Sequence, residues 1–272
     1  MEIRELKETR ETPLVSIDDT FANGALPDWV RFCIGHANIE NEPGIIRFVI
    51  DGAEDGKLSD AELDDHRTVP RERLLWKPPL RMTIRARMSH PSGKMIGTAG
   101  FGFWNDPFDW VGNVQTPPNA LWFFYGSPES DMAFARGVRG NGWKAATLNG
   151  GRADKFTMWL GNFIFNLPGM SKLVFALAET RIHAHECVLD QIALTDWHEY
   201  RIDWLQKEAI FFVDDTQVFR APNPPTVPLG FVAWVDNNAA VMGPGREFAF
   251  NRIAVPQRQW LELAKVRIEA LA

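Results

Sequence analysis

Two short stretches repeat one arrangement of chemistry-bearing residues. Gly100 to Asp106 reads GFGFWND and Gly230 to Asp236 reads GFVAWVD, both of the form G-F-x-x-W-x-D. Side chains alternate between the faces of a strand, so Trp104 and Asp106 share a side with Gly100 and Gly102, while Trp234 and Asp236 share one with Gly230 and Val232. An indole beside a carboxyl, on a face thinned by glycine, suits a ring-shaped ligand that approaches the backbone. Trp122, in NALWFFYGS, adds a third aromatic, and Asn237 adds a polar head beside Asp236. If the polar side of LRMTIRARM is concave, Arg85 or Arg87 would pair with Asp106 or Asp236 or meet an anionic ligand; if it is convex, the arginines are solvated. The expected ligand-binding set is therefore Trp104, Trp122, Trp234, Asn237, Arg85 and Arg87. In a dry groove, burial would keep one of Asp106 and Asp236 protonated as acid while the other stays ionised as base. That makes them the candidate catalytic pair of a cofactor-independent cyclase, isomerase or hydrolase acting on an apolar small molecule.

Metal chemistry has weaker support. RIHAHE sets His183 and His185 on one face of a strand, with Asp190 following, but surface or turn histidines are expected. The stretch from Asp51 to Glu62, DGAEDGKLSDAE, carries acids in the register of a calcium loop. Ala53 occupies the third ligand position, and the strand-like GIIRFVI stands upstream where a helix is required. An acidic loop is expected there rather than calcium, and no metal or cofactor is assigned. Cys33 and Cys187 lack C-x-x-C spacing, which argues against a thiolate site or a disulfide framework.

Strands must position these residues. Apolar, β-prone runs recur at Gly44, Leu80, Thr98, Asn119 and Leu229, separated by Gly, Pro, Asn and Asp clusters. From Trp197 to Ala221, WHEYRIDWLQKEAIFFVDDTQVFRA alternates, breaks, and alternates again: His198, Tyr200, Ile202 and Trp204 on one face, then Ile210 to Val213, then Val218 to Arg220, with Asp214-Asp215 as a turn. This pattern predicts an all-β antiparallel sandwich, taken as one domain over residues 1–272. The C-terminal RQWLELAKVRI fits a helix or a last strand. Residues 156–178 are the most apolar stretch, but Asn162, Asn166, Pro168 and Lys172 interrupt it, so it is no transmembrane span. It is expected to be a partly helical insertion that packs on the sandwich, covers a pocket or joins copies of the chain into a homo-oligomer.

A net charge of -6 on 272 residues gives no reason to expect nucleic acid. Eleven tryptophans against two tyrosines favour a ligand surface that is flat, apolar and able to donate a hydrogen bond. The charged N-terminal MEIRELKETRETPL has no apolar core for export, so a cytoplasmic location is expected.

Between Leu80 and Asn238 the chain resembles the concanavalin A-like lectin and glucanase superfamily, in particular laminarinase-type glycoside hydrolases. The resemblance rests on LRMTIRARM, the glycine-rich strand ending in Trp104, the aromatic strand at Leu121 to Tyr125, the WHEYRIDW…FFVDD hairpin and PLGFVAWVDN. It implies a jelly-roll of two curved sheets with a ligand on the concave face. In such hydrolases the acids stand as E-x-D-x-x-E or E-x-D-x-E on one strand, flanking the bond to be cut. The aromatic strand that should carry them holds no carboxylate, and the nearest echo, Glu129 and Asp131, has Phe134 in place of the last acid. The expectation drawn is a non-hydrolytic jelly-roll binding a glycan or another small molecule.

Overall fold

The computed structural model describes residues 16–107, 115–151, 182–243 and 249–271. In chain order the strands are β1 (Ser16–Asp19), β2 (Val30–Ile34), β3 (Ala37–Glu42), β4 (Ile45–Ile50), β5 (Asp60–Asp64), β6 (Leu80–Met88), β7 (Thr98–Trp104), β8 (Asn119–Gly126) and β9 (Asp131–Met132). They continue with β10 (Gly142–Asn149), β11 (His183–Val188), β12 (His198–Trp204), β13 (Glu208–Val213), β14 (Thr216–Pro222), β15 (Gly230–Asp236), β16 (Asn238–Met242), β17 (Ala249–Arg252) and β18 (Gln259–Ala270). One 3-10 turn at Arg71–Arg73 is the helical element among the described residues. RQWLELAKVRI thus resolves as strand, because its alternating face finds a sheet to enter. The apolar 156–178 stretch lies outside the described residues.

An eight-stranded sheet runs β14-β13-β12-β6-β18-β4-β3, with β1 paired to β18. A seven-stranded sheet runs β11-β10-β8-β7-β15-β5-β2. Their inner faces meet in an aromatic core: Phe101, Phe103, Phe123, Trp143 and Phe231 from one, Tyr200, Trp204 and Phe211 from the other, each 0–2% exposed. Phe123 lies edge-on to Tyr200 at 5.0 Å and to Phe211 at 5.3 Å, the offset geometry that ring quadrupoles favour. This is the all-β jelly-roll sandwich expected. Its hairpins follow the alternation in WHEYRIDW, and Asp214 and Asp215 take the positive φ values (48° and 62°) that a two-residue turn needs. A third sheet, β17-β16-β9, lies over the outer face of the seven-stranded one. There Met132 and Ala240 bury against Phe124 and Ala146.

Candidate functional site

The outer face of the seven-stranded sheet is laid out by its registers. One row crosses the strands as Phe32, Glu62, Trp234, Gly100, Phe124, Lys144 and Val188. The next reads Val30, Asp64, Val232, Gly102, Trp122, Ala146 and Glu186. Antiparallel pairing of the two G-F-x-x-W segments sets Trp234 against Gly100 and Trp104 against Gly230. Glycine is required at both places. A Cβ on Gly100 would come within 2.7 Å of the Trp234 ring, and one on Gly230 within 2.3 Å of His66 Cβ. Three predicted tryptophans therefore converge: Trp122 lies 6.2 Å from Trp104 and 5.7 Å from Trp234 between ring centroids. The Nε1 atoms of Trp104 and Trp122 are sealed from solvent without a hydrogen-bond partner among the described residues. Trp234 Nε1 donates to Thr98 Oγ1 at 2.9 Å.

Beside this aromatic floor stands a feature that the sequence reading did not single out. β5 reads Asp60-Ala61-Glu62-Leu63-Asp64, and while Ala61 and Leu63 enter the core, the three acids share the outer face. Glu62 is the direct cross-strand partner of Trp234, and Asp60 that of Asp236. Burial pushes Asp60 and Glu62 well above the usual carboxylate range, and the Asp236 and Asp60 charges, respectively, push them further. Arg67 opposes this, donating to Asp64 Oδ2 at 3.0 Å and to Glu62 Oε1 at 2.7 Å while its guanidinium covers the Phe32 ring at 4.1 Å. Asp64 is further fixed by the backbone N–H groups of His66 and Arg67. One guanidinium cannot neutralise four neighbouring carboxyls, so protons must be retained in the row.

His66 closes the row. It is 5% exposed, lies edge-on to Trp104 at 5.7 Å, and burial lowers its pKa. Phe231 O, 3.2 Å from Nδ1, can only accept, which puts the proton on Nδ1 and leaves Nε2 as acceptor, 4.0 Å from Glu62 Oε1. Glu62, Asp64 and His66 each bring a ligand atom within 4.8 Å of the others, a geometry open to a cation, but Arg67 already supplies positive charge to both carboxyls.

Other expected site residues fall elsewhere. Arg85 and Arg87 are on β6 in the other sheet, turned away from the core, stacked on Trp197, with Arg87 paired to buried Glu262 at 2.6 Å. The inward side of LRMTIRARM is its apolar one, so these arginines meet neither aspartate. Asn237 is a fully buried peg whose amide bonds Lys57 O, Ile253 O and Ser59 N. Asp106 and Asp236 do not face each other either. With Trp104 opposite Gly230 and Thr98 opposite Asp236, they stand toward opposite ends of β7, a strand roughly 20 Å long at 3.3 Å per residue. Burial raises both pKa values. Asp106 meets Arg71 at 3.6 Å, and Asp236 accepts from Thr98 and Asn238. Glu62 does not close a calcium loop but belongs to β5, while Asp51 and Asp55 are exposed in the preceding turn. Glu129 is an exposed loop residue, and Asp131 begins β9.

The fold is that of the concanavalin A-like superfamily, and the resemblance to its glucanases is found again by comparison. The sequence pattern of glycosyl hydrolases family 16 matches residues 159–233, whose described part runs from β11 into β15. A β-1,3-1,4-glucanase (lichenase) derived from a mouse hindgut metagenome is 13% identical, with a TM-score of 0.53, covering 95% of this chain and all of that one. Laminarinase from Flavobacterium sp. UMI-01 is 13% identical at a TM-score of 0.51, covering 93% and 98%. A family 16 endo-glucanase from Bacteroides ovatus is 9% identical at 0.52, covering 93% and 99%. No curated protein matches the chain by sequence. These matches correct the expectation of a non-hydrolytic binding jelly-roll, with its cyclase or isomerase alternative: the family pattern matched is that of glycan-degrading enzymes.

Proposed function

We propose that the chain is a glycan-degrading enzyme whose acids come from β5. One observation carries the reading: Asp60, Glu62 and Asp64 stand at alternate positions on the outer face, with Glu62 directly across from Trp234. A sugar stacked on that indole brings its glycosidic oxygen to the carboxyl beside it. Burial raises the Glu62 pKa well above the usual carboxylate range, the direction that a proton donor to a leaving group needs. Asp60, two residues along the same face and electrostatically tied to it, is the second carboxyl; close acids of this kind share a proton, so one is neutral while the other is charged. Asp64 and Arg67 hold Glu62 in place and touch no substrate. The match to glycosyl hydrolases family 16 supports the reaction class, and the lichenase likeness makes β-1,3-1,4-glucan the first substrate to try.

Purified protein is expected to release reducing ends from β-1,3- or mixed-linkage β-1,3-1,4-glucan. Glu62→Gln should lower kcat by about 10²–10⁴-fold, the usual worth of a general acid, with oligosaccharide binding retained. An unchanged rate in that variant, or no release from either polymer by the parent protein, overturns the proposal.

A further inference from the structure

We infer that His183 and His185 form a two-nitrogen site for a divalent transition-metal ion of the zinc, nickel or copper class. The inference is independent of the glycan reading above. HAHE of RIHAHE is strand rather than turn: β11 sets His183 against Asn149 and His185 against Thr147 of β10. Period two puts both rings on one face, and the register identifies it. The row through Cys187 continues to Ala145 and to Phe123 of the core, so the face is the inner one. β11 is the end strand of its sheet, and there the inner face meets solvent: His183 is exposed and His185 partly buried.

Alternate residues of a strand stand roughly 6.6 Å apart, twice the 3.3 Å rise, and two imidazoles on one face can converge on an ion that holds each nitrogen at about 2.0–2.1 Å. Among the described residues no hydrogen bond or ion pair engages either ring. Burial and the charge of His183 lower the His185 pKa, which favours the neutral, ligating form. The neighbours are engaged elsewhere. The Cys187 thiol lies against Val188 O and Val218 O, Asn149 donates to Asn223 O and Pro224 O, and Glu186, on the other face, pairs with Lys144 at 2.9 Å. Thr147, the cross-strand partner of His185, differs from them. It is 0% exposed, and its Oγ1 has no partner among the described residues. A buried hydroxyl left unpaired calls for an ordered water or an ion's hydration shell, and a water on an ion at His185 supplies it on that face. Nitrogen donors select zinc, nickel or copper over calcium and magnesium, which take oxygen. β11 and β5 are five strand spacings apart, roughly 24 Å, so this is a second site and not part of the acidic row.

The experiment titrates Zn²⁺ by calorimetry into the full chain, first stripped with a chelator, and into His183→Ala and His185→Ala. Zn²⁺ is expected to bind each variant at least about tenfold more weakly than the parent, the loss that even an outer-shell partner of a metal site causes. Ca²⁺ is expected to bind parent and variants alike. Electron paramagnetic resonance of Cu²⁺ added to the parent protein reads the site without any substitution, and two imidazole nitrogens on one ion are expected. No Zn²⁺ binding by the parent, unchanged affinity in either variant, or copper held by a single nitrogen overturns the inference. None of these outcomes bears on the glycan reading.

Discussion

At the residue scale, the row on β5 makes the fold sensitive to pH in a definite direction. Asp60, Glu62 and Asp236 keep protons in the fold that the unfolded chain gives up, since burial raises each of them. Between the ordinary carboxyl pKa and those raised values the folded state binds more protons, so their stabilisation is complete in acid and declines as pH climbs through the folded values. His66 acts the other way: burial lowers its pKa, and its share is present above the unfolded value of a histidine and lost as pH falls through the folded one. Asp106, also raised by burial, joins the first set and His185, lowered by burial, the second, so four carboxyls oppose two histidines. The melting temperature is therefore expected to fall as pH rises above the 4.5 of an ordinary glutamate, and Glu62→Gln should flatten that slope. A parent protein whose melting temperature rises from pH 5 to pH 8 would show the row to be ionised. The tryptophans were legible in sequence because a repeated G-F-x-x-W names its own faces. The acids were not: Asp60 and Glu62 were read as the tail of an acidic loop, although Ala61 and Leu63, alternating with Asp60, Glu62 and Asp64, carry the period-two signal.

At the scale of elements, glycine decides how closely β7 and β15 bring their cargo together. Gly230 lets His66 sit against the strand, and a methyl there would overlap His66 Cβ at 2.3 Å and approach Asp65 Oδ1 at 3.2 Å. Gly230→Ala is expected to cost about 1–3 kcal/mol in urea unfolding, the usual range for overpacking. It should also displace His66 and lower activity beyond what stability explains; wild-type activity at a temperature where the variant is fully folded would refute that link. Alternation told which residues of LRMTIRARM share a side, but not which side looks at the ligand. Arg85 and Arg87 went to the far sheet because the five apolar residues of that strand claim the core. Likewise, a matching motif on two strands implied nearby aspartates only if the strands were parallel; they are antiparallel, and Asp106 and Asp236 part company.

At the scale of the molecule, the three-stranded sheet is tied to the sandwich by the buried Lys144–Glu186 pair. Removing one partner strands a charge, and Lys144→Met is expected to cost about 3–5 kcal/mol. The double change Lys144→Met with Glu186→Leu should recover most of that, since neither charge then needs a partner; a double variant as unstable as the single one would place the cost in the lost contacts to Met132 and Arg139 instead. The jelly-roll itself was legible, from the hairpins and the spacing of apolar runs. The three-stranded sheet was not, because β9 is two residues long and its partner β16 lies over a hundred residues away in sequence.

The position of β18 has a consequence for how the protein is made. This strand, the last of those described, lies between β6 and β4 in the middle of the eight-stranded sheet. On the ribosome, β3–β4 and β6–β12–β13–β14 are all synthesised before the strand that joins them. Until it emerges, each block presents an unpaired backbone edge to its surroundings. The nascent chain thus carries unpaired strand edges until its last strand emerges, and a stop codon placed just before Gln259 would split the sheet rather than trim it.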